Sequence, residues 1–309
     1  MKIDVSEIKA FRHCKRQWQL SSRNQFHLTA MVQPTAFAVG TVFHESLHKL
    51  YLGKDIEEVK QYISNSEVSK DDKVLLYSMI QGYYRNVLYK DQERFDVLDI
   101  EYHFEIPVKE MCIELGIPVE LIADCEDVTL CGSIDMICVD KVTGEVWGFE
   151  HKTAKNFRNE VYCWMDEQPR LYYAALLRRV NQWNENSKGA SDLYKLGGVY
   201  INEVRKLIRA SESKRTALSY PDDDLRNFMY GLLTSVAECH KMVNDDRIPR
   251  VPQPDYMVCT NCMYNTICQT YKYADIKLPE LLDEFSMEFK VREQDHLEEK
   301  TEVGGGGKN

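Results

Sequence analysis

Three positions near the middle of the chain have the types and spacing of a metal-dependent hydrolytic site. In GSIDMICVDKVTGEVWGFEHKTA, Asp135 stands among apolar residues. That is a costly place for a carboxylate unless something cationic meets it. Glu150 and Lys152 are separated by one residue, so in a strand both side chains point to the same face. A hairpin turning through Gly144 would set Asp135 beside that pair. Two carboxylates hold Mg2+ or Mn2+ through hard oxygens, and a flanking lysine orients and helps deprotonate an attacking water. The plainer reading is an ion pair between Glu150 and Lys152, or a solvated edge strand.

The cysteines form a second chemical feature. The N-terminal MKIDVSEIKAFRHCKRQWQL carries no apolar segment of the secretory kind, so an intracellular, reducing compartment and free thiols are expected. Cys112, Cys125, Cys131, Cys138, Cys163 and Cys239 sit among apolar neighbours and are expected to be small buried core residues. The segment VCTNCMYNTIC differs, because Cys259, Cys262 and Cys268 give C-x2-C-x5-C. A fourth ligand is needed to close a tetrahedral site. Cys14, in FRHCKRQWQL, is the natural choice, with Cys239 or a histidine as alternatives. Four cysteines hold zinc or an iron–sulfur cluster. Zinc sites usually come as two local pairs, so one distant cysteine with a C-terminal triplet favours a 4Fe-4S cluster.

The elements that must position these groups can be read from periodicity. The 309 residues, 44% hydrophobic and 28% charged, suffice for a substantial core. No apolar run of membrane-spanning length occurs. Helices are expected at Ser6–Leu20 with Ser6 as N-cap, and at Ala36–Leu52, Ile56–Ile63 and Lys73–Tyr89. After Asp96 the period changes to two, giving strands at Val97–Val108, Val119–Cys125, Val128–Val139 and Glu145–Lys152. Helix Tyr162–Arg179, strand Gly197–Val204 and helix Leu225–Val243 follow, then PRVPQPDYM, whose prolines mark irregular structure. This order predicts an α/β (α+β) fold with one main domain. The segment Glu280–Glu302 holds nine acids and three bases and is expected as a solvated helix before a flexible GGGGKN terminus.

Taken together, these motifs resemble the PD-(D/E)xK nuclease superfamily, in its RecB-like branch with a four-cysteine iron–sulfur cluster. Asp135 and Glu150-x-Lys152 match its core signature; Gln168 and Tyr172 in EQPRLYYAAL match Q-x-x-x-Y on the following helix; GTVFHESLH matches a G-x-x-x-H helix. Cys14 with the C-terminal triplet is similar to the arrangement in the CRISPR-adaptation exonucleases and the AddB nuclease domain. The motifs run in order from about residue 6 to 270. The resemblance implies a restriction-endonuclease-like core, a central mixed sheet flanked by helices, with the N- and C-terminal segments joined by the cluster. It implies one nuclease domain over 1–275, with cluster-binding segments 6–20 and 255–275, a helical insert near 53–95 and a catalytic core near 96–205. Residues 276–309 would be an acidic tail. It implies Mg2+ or Mn2+ ligation by His44, Asp135, Glu150 and the backbone carbonyl of His151, with Lys152 as catalytic lysine. Gln168 and Tyr172 would position substrate or the lysine, and Glu101 fits an accessory acidic position. His151 stands where an apolar residue is commonest, and its side chain is expected to face away from the metal.

The activity implied is exonucleolytic hydrolysis of DNA at single-stranded ends in repair, recombination or CRISPR-type processing, in the cytoplasm of a bacterial or phage-infected cell. Helicase, recombinase or CRISPR-integration proteins are the partner classes, and no membrane is involved. Two alternatives are a non-catalytic DNA-end-binding or assembly subunit and a zinc-stapled regulatory protein. A net charge of -10 seems to argue against nucleic acid, but six of those charges lie in Glu280–Glu302. Binding phosphates needs local positive charge. Residues 1–30 and Arg205–Arg215 are each net +4, and Lys155 and Arg158 follow the hairpin. Trp18 could stack a base, but is expected as a core anchor.

Overall fold

The computed structural model describes residues 1–32, 35–122, 124–187, 193–208 and 212–292. In chain order the elements are β1 (Lys2–Ile3), α1 (Val5–His13), α2 (Lys15–Ser21), β2 (Leu28–Ala30), α3 (Thr35–Tyr51), α4 (Ile56–Asn65) and α5 (Lys70–Tyr83). A π-helical stretch, Tyr84–Leu88, leads to α6 (Tyr89–Arg94), β3 (Phe95–Pro107) and α7 (Val108–Glu114). A 3-10 turn at Val119–Ile122 precedes β4 (Thr129–Asp140), β5 (Glu145–Ala154), α8 (Glu160–Met165), α9 (Glu167–Asn186), β6 (Lys195–Arg205) and β7 (Ser213–Leu218). The chain then forms α10 (Asp222–Asn244), α11 (Tyr256–Cys259), α12 (Asn265–Tyr271), α13 (Leu278–Phe285) and β8 (Phe289–Val291). Two compact units result, one from 1–12 and 33–248, the other from 13–32 and 249–309.

The first unit is built on a mixed sheet, ordered β1-β4-β5-β6-β7, with β3 also paired to β4. β3, β4 and β5 form an antiparallel meander, and the turn between β4 and β5 passes through Gly144 at φ +72°. α8 and α9 cross over to β6, which pairs parallel with β5. Helices flank this sheet, as the alternation of strand and helix patterns predicts. α3, α4 and α5 pack through Val39, Phe43, Leu47, Val59, Ile63, Leu76 and Ile80, all at most 2% exposed. That apolar face fixes α3 and therefore the residues on its other side.

Several expectations are corrected here. Val119–Cys125 is not a strand but a 3-10 turn followed by irregular chain, because Leu121 faces solvent while Ile122 and Cys125 are buried. The helix expected over Ser6–Leu20 breaks at Cys14, whose φ and ψ of -161° and 115° are extended. Asp4, rather than Ser6, caps the first half by accepting from the Glu7 N–H at 2.9 Å. The helix expected over Tyr162–Arg179 breaks at Asp166, whose carboxylate caps α9 by accepting from the Gln168 N–H at 3.2 Å. Sequence periodicity also missed β7, whose SKRTAL has too few apolar residues to read as a strand.

The second unit packs Leu20 and Leu28 against Tyr264, Ile267, Ile276, Leu281, Phe285 and Phe289. β2 and β8 pair antiparallel within it. The acidic segment thus has a buried inner face at Leu281, Phe285 and Phe289, where a solvated helix was expected. Residues 293–309, including His296 and the glycine-rich end, lie outside the described residues. Trp18 is fully buried, so it is a core anchor.

Candidate functional site

The site in the first unit begins where β4 and β5 part. Their ladder runs from Val139↔Val146 to Met136↔Phe149 and stops there. Two residues on, the His151 N–H donates instead to Asp135 Oδ2 at 2.6 Å. The splay leaves the Asp135 carboxylate beside α3, where His44 Nδ1 lies 3.5 Å from Asp135 Oδ2. On β5, Glu150 Oε1 pairs with the Lys152 ammonium, as the alternation rule for one intervening residue requires. α9 brings Gln168 over the same face. Its Nε2 donates to Glu150 Oε1 at 3.0 Å and to the Tyr172 hydroxyl at 2.8 Å, while its Oε1 accepts from Lys152 Nζ at 3.2 Å. His44, Asp135, Glu150, Lys152, Gln168 and Tyr172, scattered over two helices and a hairpin, are thus brought together.

The electrostatics follow from this packing. Burial, then the neighbouring Asp135 charge, pushes the Glu150 carboxyl up to about 7 despite Lys152. Asp135 moves the other way: burial opposes ionisation, but the His44 side chain and the His151 N–H hold it below the usual carboxylate range. The His44 imidazole is raised, because Asp135 and Glu150 outweigh its burial. Lys152 is likewise raised, with Glu150 outweighing desolvation, so it stays charged. The Tyr172 hydroxyl is raised by burial and by Glu150. Glu150 Oε2 is buried and, among the described residues, meets no hydrogen-bond partner.

The His151 side chain lies on the opposite face of β5 from Glu150 and Lys152. It stacks on Tyr51 at 5.7 Å between ring centroids, and its Nδ1 is 2.8 Å from Asn202 Nδ2. Asn202 Nδ2 also donates to the Tyr83 hydroxyl at 2.9 Å, Tyr83 contacts Tyr51, and Tyr51 donates to Asp91 Oδ2 at 2.6 Å. Arg215 completes the chain through two bonds to Asp91 at 2.7 and 2.8 Å. Burial drives the His151 imidazole down to about 4, so the ring is neutral. Sequence reasoning missed this network because its members are widely separated and only His151 lies within a motif. Glu101 is half-buried near α3, its Oε1 3.3 Å from His48 Nδ1.

The basic clusters expected to meet phosphate are largely committed elsewhere. Arg215 belongs to the buried network, and Arg16 is 1% exposed, donating to the Arg250 and Ala274 carbonyls. Lys2, Lys9 and Arg12 pair with Glu105, Asp166 and Glu167. Arg205 pairs with Glu212, and Arg158 with Glu203 and Asp166. Arg209 lies outside the described residues. Lys155 remains exposed at the end of β5, next to Lys206, whose ammonium is lowered by burial and by Lys155.

In the second unit, Cys14, Cys259, Cys262 and Cys268 line one cavity of about 270 Å³ with Pro252, Pro254 and Tyr264. Burial and the facing Cys14 push the Cys268 thiol up to about 11, and Cys262 is raised by burial and by the other thiols. The break at Cys14 turns its side chain out of the helical path, and its Sγ accepts from the Gln253 N–H at 3.4 Å. No three of these sulfurs lie within 4.8 Å of one another. The other six cysteines are buried core residues, at most 7% exposed.

A central mixed sheet flanked by helices, with an acidic hairpin and a lysine two residues past a glutamate, defines a restriction-endonuclease-like fold. The chain belongs to the PD-(D/E)XK nuclease superfamily, whose family model matches residues 3–269. Members of that superfamily are metal-dependent nucleases acting on nucleic acid. No curated protein matches the chain. Among solved structures, one described as "Crystal structure of SSO0001" aligns over 86% of this chain and 95% of its own, at 12% identity and a TM-score of 0.29. Among the described residues, no helix is long and apolar enough to cross a membrane.

Proposed function

We propose that this chain is a Mg2+- or Mn2+-dependent exonuclease that degrades DNA from single-stranded ends, inside the cell, and that its four cavity cysteines hold a structural 4Fe-4S cluster. The convergence of His44, Asp135, Glu150, Lys152 and Gln168 carries the nuclease reading. Two carboxylates share a buried space, one is driven up to about 7, and its second oxygen has no partner. A divalent cation fits that donor set, because it would add the positive charge that lets both carboxylates ionise together. His44, Asp135, Glu150 and the His151 carbonyl would hold it. When bound, the metal polarises the phosphoryl group and eases loss of a proton from the attacking water.

The chain's own residues do the rest. Lys152, kept charged by Glu150, presents an ammonium to the phosphate and orients the water. Gln168 bridges Glu150 and Lys152 and so holds both in one geometry, and Tyr172 fixes Gln168 through its hydroxyl. Lys155 and Lys206 are the basic pair assigned to the DNA backbone, in place of the buried Arg16 and the half-buried Arg215, which is paired with Asp91. The preference for single-stranded ends rests on the motif order that resembles the RecB-like enzymes. Asp135→Ala and Lys152→Ala each lower Mn2+-dependent DNA hydrolysis by about 10²-fold or more, the range typical of a lost catalytic group. Full activity in both variants contradicts the assignment.

The cysteine cavity supports a cluster over zinc by size. Tetrahedral zinc, at ~2.3 Å per Zn–S bond, draws its sulfurs to about 3.8 Å apart. A cavity of about 270 Å³ lined by the four cysteines has room for a polynuclear centre. Cys14, Cys259, Cys262 and Cys268 would hold it. Anaerobically purified protein is expected to be brown, with iron and acid-labile sulfide; a colourless protein with stoichiometric zinc contradicts the cluster.

A further inference from the structure

We infer that Glu45, His48 and Glu101 form a second divalent-cation site, of the Mn2+ class, beside the His44–Asp135–Glu150 set. α3 presents Glu45 and His48 three residues apart on one helical face, and β3 presents Glu101. One carboxylate oxygen of each acid and one ring nitrogen of His48 all lie within 4.8 Å of one another. Among the described residues this is the one group of three His, Cys, Asp or Glu side chains so close. Two carboxylates and one imidazole suit a borderline-hard divalent ion and leave half of an octahedral shell for water or a substrate oxygen.

The unmet polar atoms point to a ligand. His48 Nδ1 is shielded from solvent and, among the described residues, has no hydrogen-bond partner, although Glu101 Oε1 is only 3.3 Å away. The second, independent observation is His151, 3% exposed, whose Nε2 has no partner among the described residues either. Its tautomer is set by the buried network. Tyr51 donates to Asp91, so Tyr83 donates to Tyr51, and the Asn202 amide donates to both Tyr83 and His151 Nδ1. Nδ1 therefore accepts, and Nε2 carries the proton. His151 lines a cavity of about 20 Å³ together with His44, His48, Glu101 and Asp135. That volume holds about one water. The Nε2–H donates to an oxygen placed there, a water on the cation or an oxygen of the bound phosphate.

The surroundings agree with a cation. Among the described residues Glu45 has no ion-pair partner; the nearby Lys49 ammonium lies over the Tyr62 ring instead, 4.8 Å from its centroid. Glu101 has φ +55° in the middle of β3, and the ladder to β4 lacks a Glu101↔Asp135 pair between Ile100↔Met136 and Tyr102↔Ile134. The backbone there is strained and turns Glu101 toward α3.

Counting bound ions on the full chain tests this independently of nuclease activity. Chelator-treated protein is titrated with Mn2+ and the free ion is followed by its paramagnetic resonance. Glu45→Gln/Glu101→Gln and His48→Gln are each expected to lose about one equivalent of bound Mn2+, and Asp135→Asn a different one, so that the losses add when combined. Glutamate and histidine variants that bind as the wild type does overturn the second site, while loss in Asp135→Asn alone leaves the nuclease reading standing. A readout that needs none of the three ligands altered is the Mn2+ bound to His44→Gln/Asp135→Asn protein. Hyperfine coupling to an imidazole nitrogen is expected there, and its absence overturns the proposal.

Discussion

Glu150 concentrates the chemistry of the site in one side chain. Its carboxyl is raised to about 7 by burial and by Asp135, so without metal the folded chain binds this proton more tightly than the unfolded chain does. The stability it contributes is fully present below the ordinary carboxylate range and is lost as pH rises toward 7. The melting temperature of chelator-treated protein is expected to fall between pH 5 and pH 7.5, and Glu150→Gln to flatten that fall; the same slope in both proteins refutes the proton assignment. Metal binding should tighten over the same interval, because a cation displaces the proton. Gln168→Ala removes the bridge between Glu150 and Lys152 and is expected to lower kcat by about tenfold or more with KM little changed. At this scale Asp135 and Glu150-x-Lys152 were legible, since a two-residue spacing in a strand dictates which side chains share a face. The fate of Arg16 and Arg215 was not. Whether an arginine meets phosphate or a buried partner depends on residues far away in sequence, here Arg250 and Ala274 for Arg16, and Asp91 for Arg215.

Elements fix where those side chains stand. β4 and β5 were legible as a hairpin because alternation and a turn glycine agree, and α3 because its apolar stripe packs on α4 and α5. The breaks at Cys14 and Asp166 were hidden: helical spacing continues through both, and a side chain overrides it, Asp166 by capping α9 and Cys14 by turning to the cavity. Gly132 on β4 is held small by its neighbours, since a Cβ there would sit 2.6 Å from the Phe104 ring and 3.3 Å from Tyr172. Gly132→Ala is expected to destabilise by ~1–3 kcal/mol in denaturant titration and to lower activity by displacing Tyr172. Asp91 on α6 ties that helix to β7 through Arg215. Asp91→Ala leaves a guanidinium largely buried and unpaired, and should cost ~3–5 kcal/mol, read from the shift in denaturation midpoint.

The whole molecule divides its tasks between two compact units. The acidic hairpin, His44 and Gln168 belong to one, and the four cavity cysteines to the other. Net charge of -10 misled at first because it sums over both units and over an acidic segment remote from the hairpin in sequence. Cys14→Ser is expected to bleach the visible absorption of the proposed cluster and lower the melting temperature, while Mn2+ binding at the hairpin persists in protein that remains folded. The most direct test of the central proposal compares end-labelled linear with circular single-stranded DNA, digested in Mn2+ by the wild type and by Lys152→Ala. The prediction is progressive loss of the linear strand, an intact circle, and no digestion by the variant. Equal digestion of both substrates contradicts the exonuclease reading, and undiminished digestion by Lys152→Ala contradicts the site itself.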